Sequence, residues 1–433
     1  MIDRLKEKYT GKSIVILGFG REGKSTLAIL QKAGLADCIT IADKIDVSET
    51  AKEAGCRYIC GDDYQKTLDD YDVVFKSPGI VLEREYDSYK CIITSQTQEF
   101  TEAYRERIIG ITGTKGKSTT VTLLHHILRE SGHKVCLGGN IGIPVFELAE
   151  DMSADDEMLA VVELSCHQLE YMTVSPKWSV LINLYEEHLD HYGTFEKYIA
   201  AKKHIYAYCK QGDKFFCKDD IVPEKEEFLT GEMPDIVPIS CEEVENLKIP
   251  TEDIKLLGKH NLFNVALVHE IIREFSVGEN DFIKALISYN PLPHRLQLVY
   301  EEAGVRYYDD SISTIGETTI QAVKSVKNVQ TILVGGMDRG IVYDDLEEFL
   351  SSRPVKNIIL MYETGKRIYD EMSKKNMCRS GIVVVDNLEE AVKKAKEVTV
   401  SGEACVMSPA AASYGYFKNF EERGEVFSRL VRM

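Results

Sequence analysis

Two loops built on glycine and lysine, Gly18-Phe-Gly-Arg-Glu-Gly-Lys-Ser25 and Gly113-Thr-Lys-Gly-Lys-Ser-Thr119, each stand between an apolar run and a helical one. A strand that turns on glycine straight into a helix opens a parallel α/β unit, so two such junctions call for two units. The first follows Ser13-Ile-Val-Ile-Leu17 and leads into Thr26-Leu-Ala-Ile-Leu30. It satisfies two patterns at once. Gly18, Gly23, Lys24 and Ser25 fit the triphosphate loop, while Gly18, Gly20 and Gly23 fit the dinucleotide turn. Context favours the second pattern, because the run Ile39-Thr-Ile-Ala ends in Asp43, about 20 residues past the last glycine, where an acidic side chain meets a ribose hydroxyl. Lys24 and Ser25 then belong to the first helical turn. A genuine ATP loop here, and a glycine turn that binds nothing, are the competing readings.

The second loop has Ile111 where the strict pattern wants its first glycine, yet it carries the stronger phosphate signal. It follows the apolar Arg107-Ile-Ile-Gly-Ile111 and precedes the helical run Val121-Thr-Leu-Leu-His-His-Ile-Leu128. The N-terminus of that helix presents unpaired N–H groups and the positive end of its dipole to an anion. Lys117 is placed to neutralise β- and γ-phosphate oxygens, and Ser118 or Thr119 to ligate magnesium. The alternative is a helix cap at Ser118-Thr119 that binds nothing.

The 433 residues, 44% hydrophobic and 28% charged, suit about three domains of ordinary size. No stretch approaches the ~18 apolar residues of a membrane span, and the charged opening Met1 to Thr10 lacks the apolar core of a targeting segment. Eleven cysteines without a C-x-x-C pair indicate reduced thiols, so a cytoplasmic protein without membrane insertion is expected. Cys56 and Cys60 lack matching partners for a metal. A formal net charge of -18, with Lys and Arg spread along the chain, disfavours nucleic acid as a partner, since its phosphates would be repelled. The acidic stretch Pro223 to Glu245 reads as solvated surface.

Three blocks emerge. Residues 1–97 alternate helices with strands marked by Ile14, Ile39, Val73 and Ile92. Residues 98–291 open on the second loop and carry Met158-Leu-Ala-Val-Val-Glu163 and Trp178-Ser-Val-Leu-Ile-Asn183. After Pro291-Leu-Pro293, residues 292–433 alternate again, with strands expected at Val305–Asp310, Thr331–Gly335, Asn357–Met361, Gly381–Val385 and Ala404–Met407. The expected fold class is α/β with three domains: Rossmann-like, central P-loop with a mostly parallel sheet, and Rossmann-like again. Ligands of open α/β sheets bind at the carboxyl ends of the strands. Glu163 closes one such strand, and Asn183 closes another that leads to His188-Leu-Asp190-His191. Glu163 and His188 are therefore expected to face the phosphates and complete a magnesium site. A zinc pair at His188 and His191 with Asp190 is the alternative, and His191 otherwise reads as solvated.

An ordered series of segments runs through all three blocks: the Gly18 loop, Ser77-Pro-Gly79, Gly113 to Thr119, Gly139-Asn140-Ile-Gly142, Glu163-Leu-Ser, Gln168-Leu-Glu170, Glu187-His188-Leu-Asp190, His260-Asn261-x-x-Asn264, His294-Arg295, Asp310-Ser311, Ser408-Pro-Ala-Ala-Ala-Ser413 and Phe417 to Gly424. In this series the chain resembles the Mur ligases of peptidoglycan synthesis, and within them those that add D-glutamate to UDP-N-acetylmuramoyl-L-alanine.

The resemblance implies an ATP-dependent amide-bond ligase that works through an acyl phosphate, releases ADP and phosphate, and closes its domains on the substrates. It implies that residues 1–97 hold the UDP of the sugar nucleotide, with Gly20, Asp43, Ser77 and Gly79 as contacts, and that Asn140 and His188 also touch this substrate. ATP falls to Gly113, Thr114, Gly116, Lys117, Ser118, Thr119, Asn261 and Asn264, with Arg295 and Asp310 contributing from the linker and the third domain. Two magnesium ions fall to Ser118, Glu163, His188 and a carbamylated Lys202 in Tyr198-Ile-Ala-Ala-Lys202-Lys203, with Lys203 as the fallback. The residues alone read both lysines as surface charges. The catalytic set is Lys117, Glu163, His188 and Lys202. A monomer is expected.

Thr314, Arg339, Ser413 and Phe420 are the candidates for binding D-glutamate. Here the chain departs from the resemblance. Ile312 replaces a typical lysine, Ile315 an asparagine and Gly415 an aspartate. These departures keep open a related ligase with another amino acid, or a non-catalytic sugar-nucleotide binding protein. An NAD-dependent dehydrogenase would explain the first loop and leave the second without a purpose.

Overall fold

Short runs of Ile, Val and Leu that are apolar at every position, rather than at alternate ones, form strands covered on both faces. A computed structural model of the chain describes residues 1–240, 254–256, 258–352 and 355–433. Such strands, joined by partly exposed ones at the edges, build three sheets in it. The first contains β1 (Ile14–Leu17), β2 (Ile39–Asp43), β3 (Arg57–Cys60), β4 (Val73–Lys76) and β5 (Ile92–Thr94), all parallel in the order β3-β2-β1-β4-β5. The second contains β6 (Ile108–Thr112), β7 (Val135–Gly139), β8 (Leu159–Glu163), β9 (Trp178–Leu181), β10 (Lys214–Lys218) and β11 (Asp235–Ile239), parallel in the order β11-β10-β9-β6-β8-β7. The third contains β12 (Gln297–Glu302), β13 (Val305–Asp309), β14 (Val329–Val334), β15 (Asn357–Met361), β16 (Ile382–Val385) and β17 (Ala404–Met407), in the order β12-β13-β17-β14-β15-β16. Only its edge strand β12 is antiparallel. The chain is thus mixed α/β with mostly parallel sheets.

The strands that composition did not announce are mostly edge strands. β3, β11 and β12 each leave residues exposed, so none shows a continuous apolar run. β11 corrects the reading of Pro223 to Glu245 as solvated surface. Asp235–Ile239 pairs in register with β10 and buries Ile239, because a sheet edge needs only one covered face. Residues 241–245 of that stretch lie outside the described residues.

Helices cover the sheets through stripes of 3.6-residue period. Helix Lys117–Glu130 buries Thr120, Val121, Leu123, Leu124, Ile127 and Leu128 against β7 and β8. Each buried leucine or isoleucine there contributes roughly 2 kcal/mol. Helix Phe195–Ala207 starts at Thr194, whose hydroxyl accepts a hydrogen bond from Lys197 N, and buries Tyr198, Ala201, Lys202, Ile205 and Tyr206. A lysine therefore stands within an apolar stripe. Among the described residues no helix is long and apolar enough to cross a membrane. The backbone forms two compact units, residues 1–251 with 263–289, and residues 252–262 with 290–433. The first unit contains the first two sheets and the second unit the third sheet.

Candidate active site

The second sheet delivers its chemistry at the carboxyl ends of β6, β8 and β9. β6 runs into Gly113, at φ 158°, and Gly116, at φ 87°, before helix Lys117–Glu130 begins. A Cβ on Gly116 would stand 3.0 Å from Asn264 Oδ1, so this turn needs glycine both for its backbone and for the close approach of buried Asn264. Thr114 N and Lys115 N both donate to Asn183 Oδ1, and the Thr114 hydroxyl shares a 2.9 Å hydrogen bond with Tyr198 OH. These bonds fix the shape of the loop from within the chain. Ser118 and Thr119 lie half-buried in the first helical turn, and Asn261 lies half-buried in the first turn of helix Lys259–Arg273.

Two ammonium groups meet on one carbonyl. Lys117 Nζ donates to Gly113 O at 2.8 Å and Thr114 O at 3.0 Å, while Lys202 Nζ donates to the same Gly113 O at 2.9 Å. Burial lowers the Lys117 ammonium. Lys202 is 1% exposed, and burial, with the Lys117 charge added, brings its ammonium down to about 7. Lys203 points elsewhere and pairs with Glu227 at 2.5 Å. Glu163, at the end of β8, is 2% exposed. Its Oε1 accepts from Asn140 Nδ2 at 2.7 Å, and its Oε2 is buried with no hydrogen-bond partner among the described residues. Gly139 lets the backbone of β7 pass this close to that of β8, since a Cβ there would stand 2.2 Å from the main-chain Glu163 O. A buried carboxylate oxygen with no donor, near two lysines and a loop of amide groups, fits a hard cation carrying phosphate.

His188 follows β9 on an irregular segment, at φ 58° and exposed. Its ring packs edge-on to His167 at 5.0 Å and lies 6.1 Å from Tyr198. The solvated reading of His191 is corrected: its ring lies 4.3 Å from His167, and its Nε2 is 3.4 Å from Glu170 Oε2. The short helix Leu189–Tyr192 turns it inward. Among the described residues no group of three or more His, Cys, Asp or Glu side chains is arranged to hold a metal ion, and the Asp190 and His260 side chains lie outside the described residues. Sequence reasoning passed over His167, which burial and the neighbouring histidines lower to about 4. The capping box of Ser165 and Gln168 fixes the helix that carries it.

In the first sheet, β1 and β4 flank the point where strand order reverses, so their loops face one crevice. Ser77 Oγ donates to Gly18 O at 2.7 Å. Asp43 Oδ2 accepts from Phe19 N at 2.6 Å and its Oδ1 from Ile45 N at 3.0 Å, which ties the aspartate to the glycine turn itself. Gly20 and Gly79 are exposed with open space above them. Lys24 and Ser25 lie inside helix Arg21–Lys32. Arg21 Nη1 donates to Gly142 O at 2.7 Å, close in sequence to Asn140.

In the third sheet, the adjacent strands β13, β17 and β14 bring the remaining candidates to their carboxyl ends. Asp310 accepts from Ser408 Oγ at 2.6 Å and Leu296 N at 3.3 Å, and burial pushes it up to about 6. Arg339 Nη2 donates to Thr314 O at 3.0 Å, and Ser413 is buried in the loop after β17. Arg295 is half-buried next to His294, whose Nδ1 is 2.7 Å from Asp309 Oδ2. Phe420 begins helix Phe420–Arg432, and its carbonyl accepts from Ser311 Oγ at 2.8 Å. Arg423 was not anticipated. It is 0% exposed and donates to Ser311 Oγ, Ser311 O and Ala411 O, clamping the loops after β13 and β17 together. The signal was a lone arginine in the first turn of a helix otherwise rich in acids there.

Residues 111–271 match the model of the Mur ligase middle domain. Over its whole length the sequence is 31% identical to the UDP-N-acetylmuramoylalanine–D-glutamate ligase of Clostridium botulinum strain Langeland, covering 99% of this chain and 98% of that one. The chain belongs to the Mur ligases. The ligase of the same name from Clostridium kluyveri is also 31% identical, over 99% of this chain. Solved structures share the fold: the MurF ligase of Thermotoga maritima in complex with ADP has a TM-score of 0.57 at 16% identity, covering 97% of this chain and 95% of that one. A MurF of Acinetobacter baumannii has a TM-score of 0.59 at 14% identity, covering 97% and 90%.

Proposed function

We propose that this Mur ligase joins D-glutamate to UDP-N-acetylmuramoyl-L-alanine at the expense of ATP, in the cytoplasm and as a monomer. The whole-length likeness to the clostridial D-glutamate ligases supports this reading. The observation that carries it is the convergence of Lys117 and Lys202 on Gly113 O, with the buried Glu163 Oε2 lacking a hydrogen-bond partner among the described residues. The three sheets suggest three domains, residues 1–97 for the UDP moiety, 98–291 for ATP and 292–433 for the incoming amino acid.

A carboxylate is a poor electrophile, so it is first phosphorylated on oxygen by the γ-phosphate of ATP, and ADP leaves. The amine of the amino acid then attacks the acyl carbon, the bond to the phosphate oxygen breaks, and the amine loses a proton. Lys117, released from the loop carbonyls, meets the charge on the transferred group, and the amides of Gly113 to Thr119 hold the phosphates. Ser118, Glu163, His188 and Lys202 would hold magnesium. That ion supplies charge neutralisation and alignment of the phosphates. Lys202 suits a carbamate, because only a neutral amine captures carbon dioxide and its ammonium loses its proton near 7. The carbamate would turn a cation facing Lys117 into an anionic oxygen ligand. Gly20, Asp43, Ser77 and Gly79 hold the nucleotide end of the acceptor, and Asn140 its sugar end. Arg295, Asp310, Asn261 and Asn264 complete the ATP contacts. Arg339 offers a planar fork to the carboxylate of the amino acid, with Thr314, Ser413 and Phe420 shaping its place.

The test is Lys117→Ala. Its thermal melt should match the parent's, and its turnover should fall by at least about 100-fold, the scale of losing a transition-state contact. Full turnover in the variant would refute the assignment of this loop.

A further inference from the structure

The phosphate loop has a second lysine that the mechanism leaves unused. Asn183 fixes the backbone of Lys115, accepting from Lys115 N at 2.9 Å and donating through Nδ2 to Lys115 O at 3.1 Å. The side chain thus leaves the loop from a set point. Its Nζ donates to Glu187 Oε1 at 2.6 Å, and the other oxygen of that carboxylate lies 3.9 Å from His188 Nε2. Residues 182–188 form neither helix nor strand, and His188 holds a left-handed backbone. The ion pair therefore ties the segment carrying His188 to the rim of the loop. The charge of Glu187 is also felt at Lys117 and Lys202.

An anion thus already stands among the cations that a triphosphate would seek, and it belongs to the chain. We propose that Lys115–Glu187 is an internal latch: Glu187 takes the place of a phosphate on Lys115 until ATP displaces it, which makes Lys115 a further nucleotide-binding residue and Glu187 its resident competitor. This rests on reading Gly113 to Thr119 as the ATP loop. The two side chains are 48% and 30% exposed, and pairs so exposed are weak enough to exchange. A lysine is a compact point charge that accepts carboxylate or phosphate alike, and a triphosphate brings more charge than one carboxylate. Displacement also frees the Glu187–His188 end of this segment, while Asn183 and Tyr185 stay bonded to the loop, so nucleotide binding and the position of His188 become linked.

Calorimetric titration of the full chain with ATP and magnesium, without the other substrates, tests this. Glu187→Gln should tighten ATP about threefold, the scale of one exposed ion pair. Lys115→Ala should weaken it, and in that background the gain from Glu187→Gln should largely vanish. Lys115→Met, which keeps the stem, serves instead if the alanine variant melts early. A Glu187→Gln variant that binds ATP no better than the parent, or a gain equal in both backgrounds, would overturn the latch. Lys117→Ala separates the two readings. If it binds ATP as tightly as the parent, the loop assignment itself is wrong. If it loses ATP while Glu187→Gln gains nothing, the latch alone is wrong.

Discussion

Single side chains carry the widest gap between sequence and structure. Lys202 and Lys203 are adjacent and chemically identical, and composition makes both of them surface charges. The structure separates them by direction. Lys202 falls on the stripe of Tyr198, Ala201 and Ile205 and is buried, whereas Lys203 pairs with Glu227. The 3.6-residue period held that information, but a lone lysine within an apolar stripe defies the usual exclusion of unpaired charge. Lys202→Ala should abolish turnover and be rescued by short-chain carboxylic acids, while Lys203→Ala should keep turnover and lose at most about 1 kcal/mol of stability. Equal loss in both, without rescue, would remove the carbamate assignment. Asp310 is a second case. Burial raises its carboxyl from the ordinary value of 3.8 to about 6, so the folded state favours the protonated form. That contribution is present in full below the ordinary value and is lost as pH rises through about 6. Denaturant titrations should show unfolding free energy falling between pH 4 and pH 7 by up to about 3 kcal/mol, and Asp310→Asn should remove that part of the slope. An unchanged slope would place the titrating group elsewhere.

At the level of elements, most of the strands that went unread are sheet edges, although the edge strands β5 and β16 were anticipated and the buried inner strand β10 was not. β1, β6 and β8 announce themselves as continuous apolar runs, while β3, β11 and β12 expose residues and read as loop or acidic surface. The glycine turns were legible as a pattern but not in their division of labour. A Cβ on Gly23 would stand 2.2 Å from Gly18 O, whereas Gly20 has open space and a φ of -72°. Gly23 is therefore structural and Gly20 is free to meet a ligand. Gly23→Ala should lower stability by about 1–3 kcal/mol through overpacking. Gly20→Ala should melt like the parent and change only the affinity for a uridine nucleotide, measured by calorimetry. A stable Gly23→Ala would mean that the turn relaxes more freely than its geometry allows. The reversal point between β1 and β4 explains why the Gly18 loop and Ser77 meet, a contact that no local pattern records because it joins segments far apart in sequence.

For the molecule as a whole, the order of motifs from Gly18 to Gly424 was enough to place the chain among the Mur ligases. What that order could not supply was the third dimension of each site. Arg423, which clamps Ser311 to Ala411, lies within a recognisable segment and His167, which packs on His188, between two of them, and both show their roles only once the strand ends are brought together. The amino acid is where residues and family pull apart, since Ile312, Ile315 and Gly415 stand in the same unit as Arg339 and Thr314. The direct measurement is phosphate release from ATP with magnesium and UDP-N-acetylmuramoyl-L-alanine, comparing D-glutamate, L-glutamate, D-aspartate and no amino acid. Release that requires D-glutamate, with the matching gain in product mass, is the expected result; release driven by another amino acid, or none at all, would contradict it.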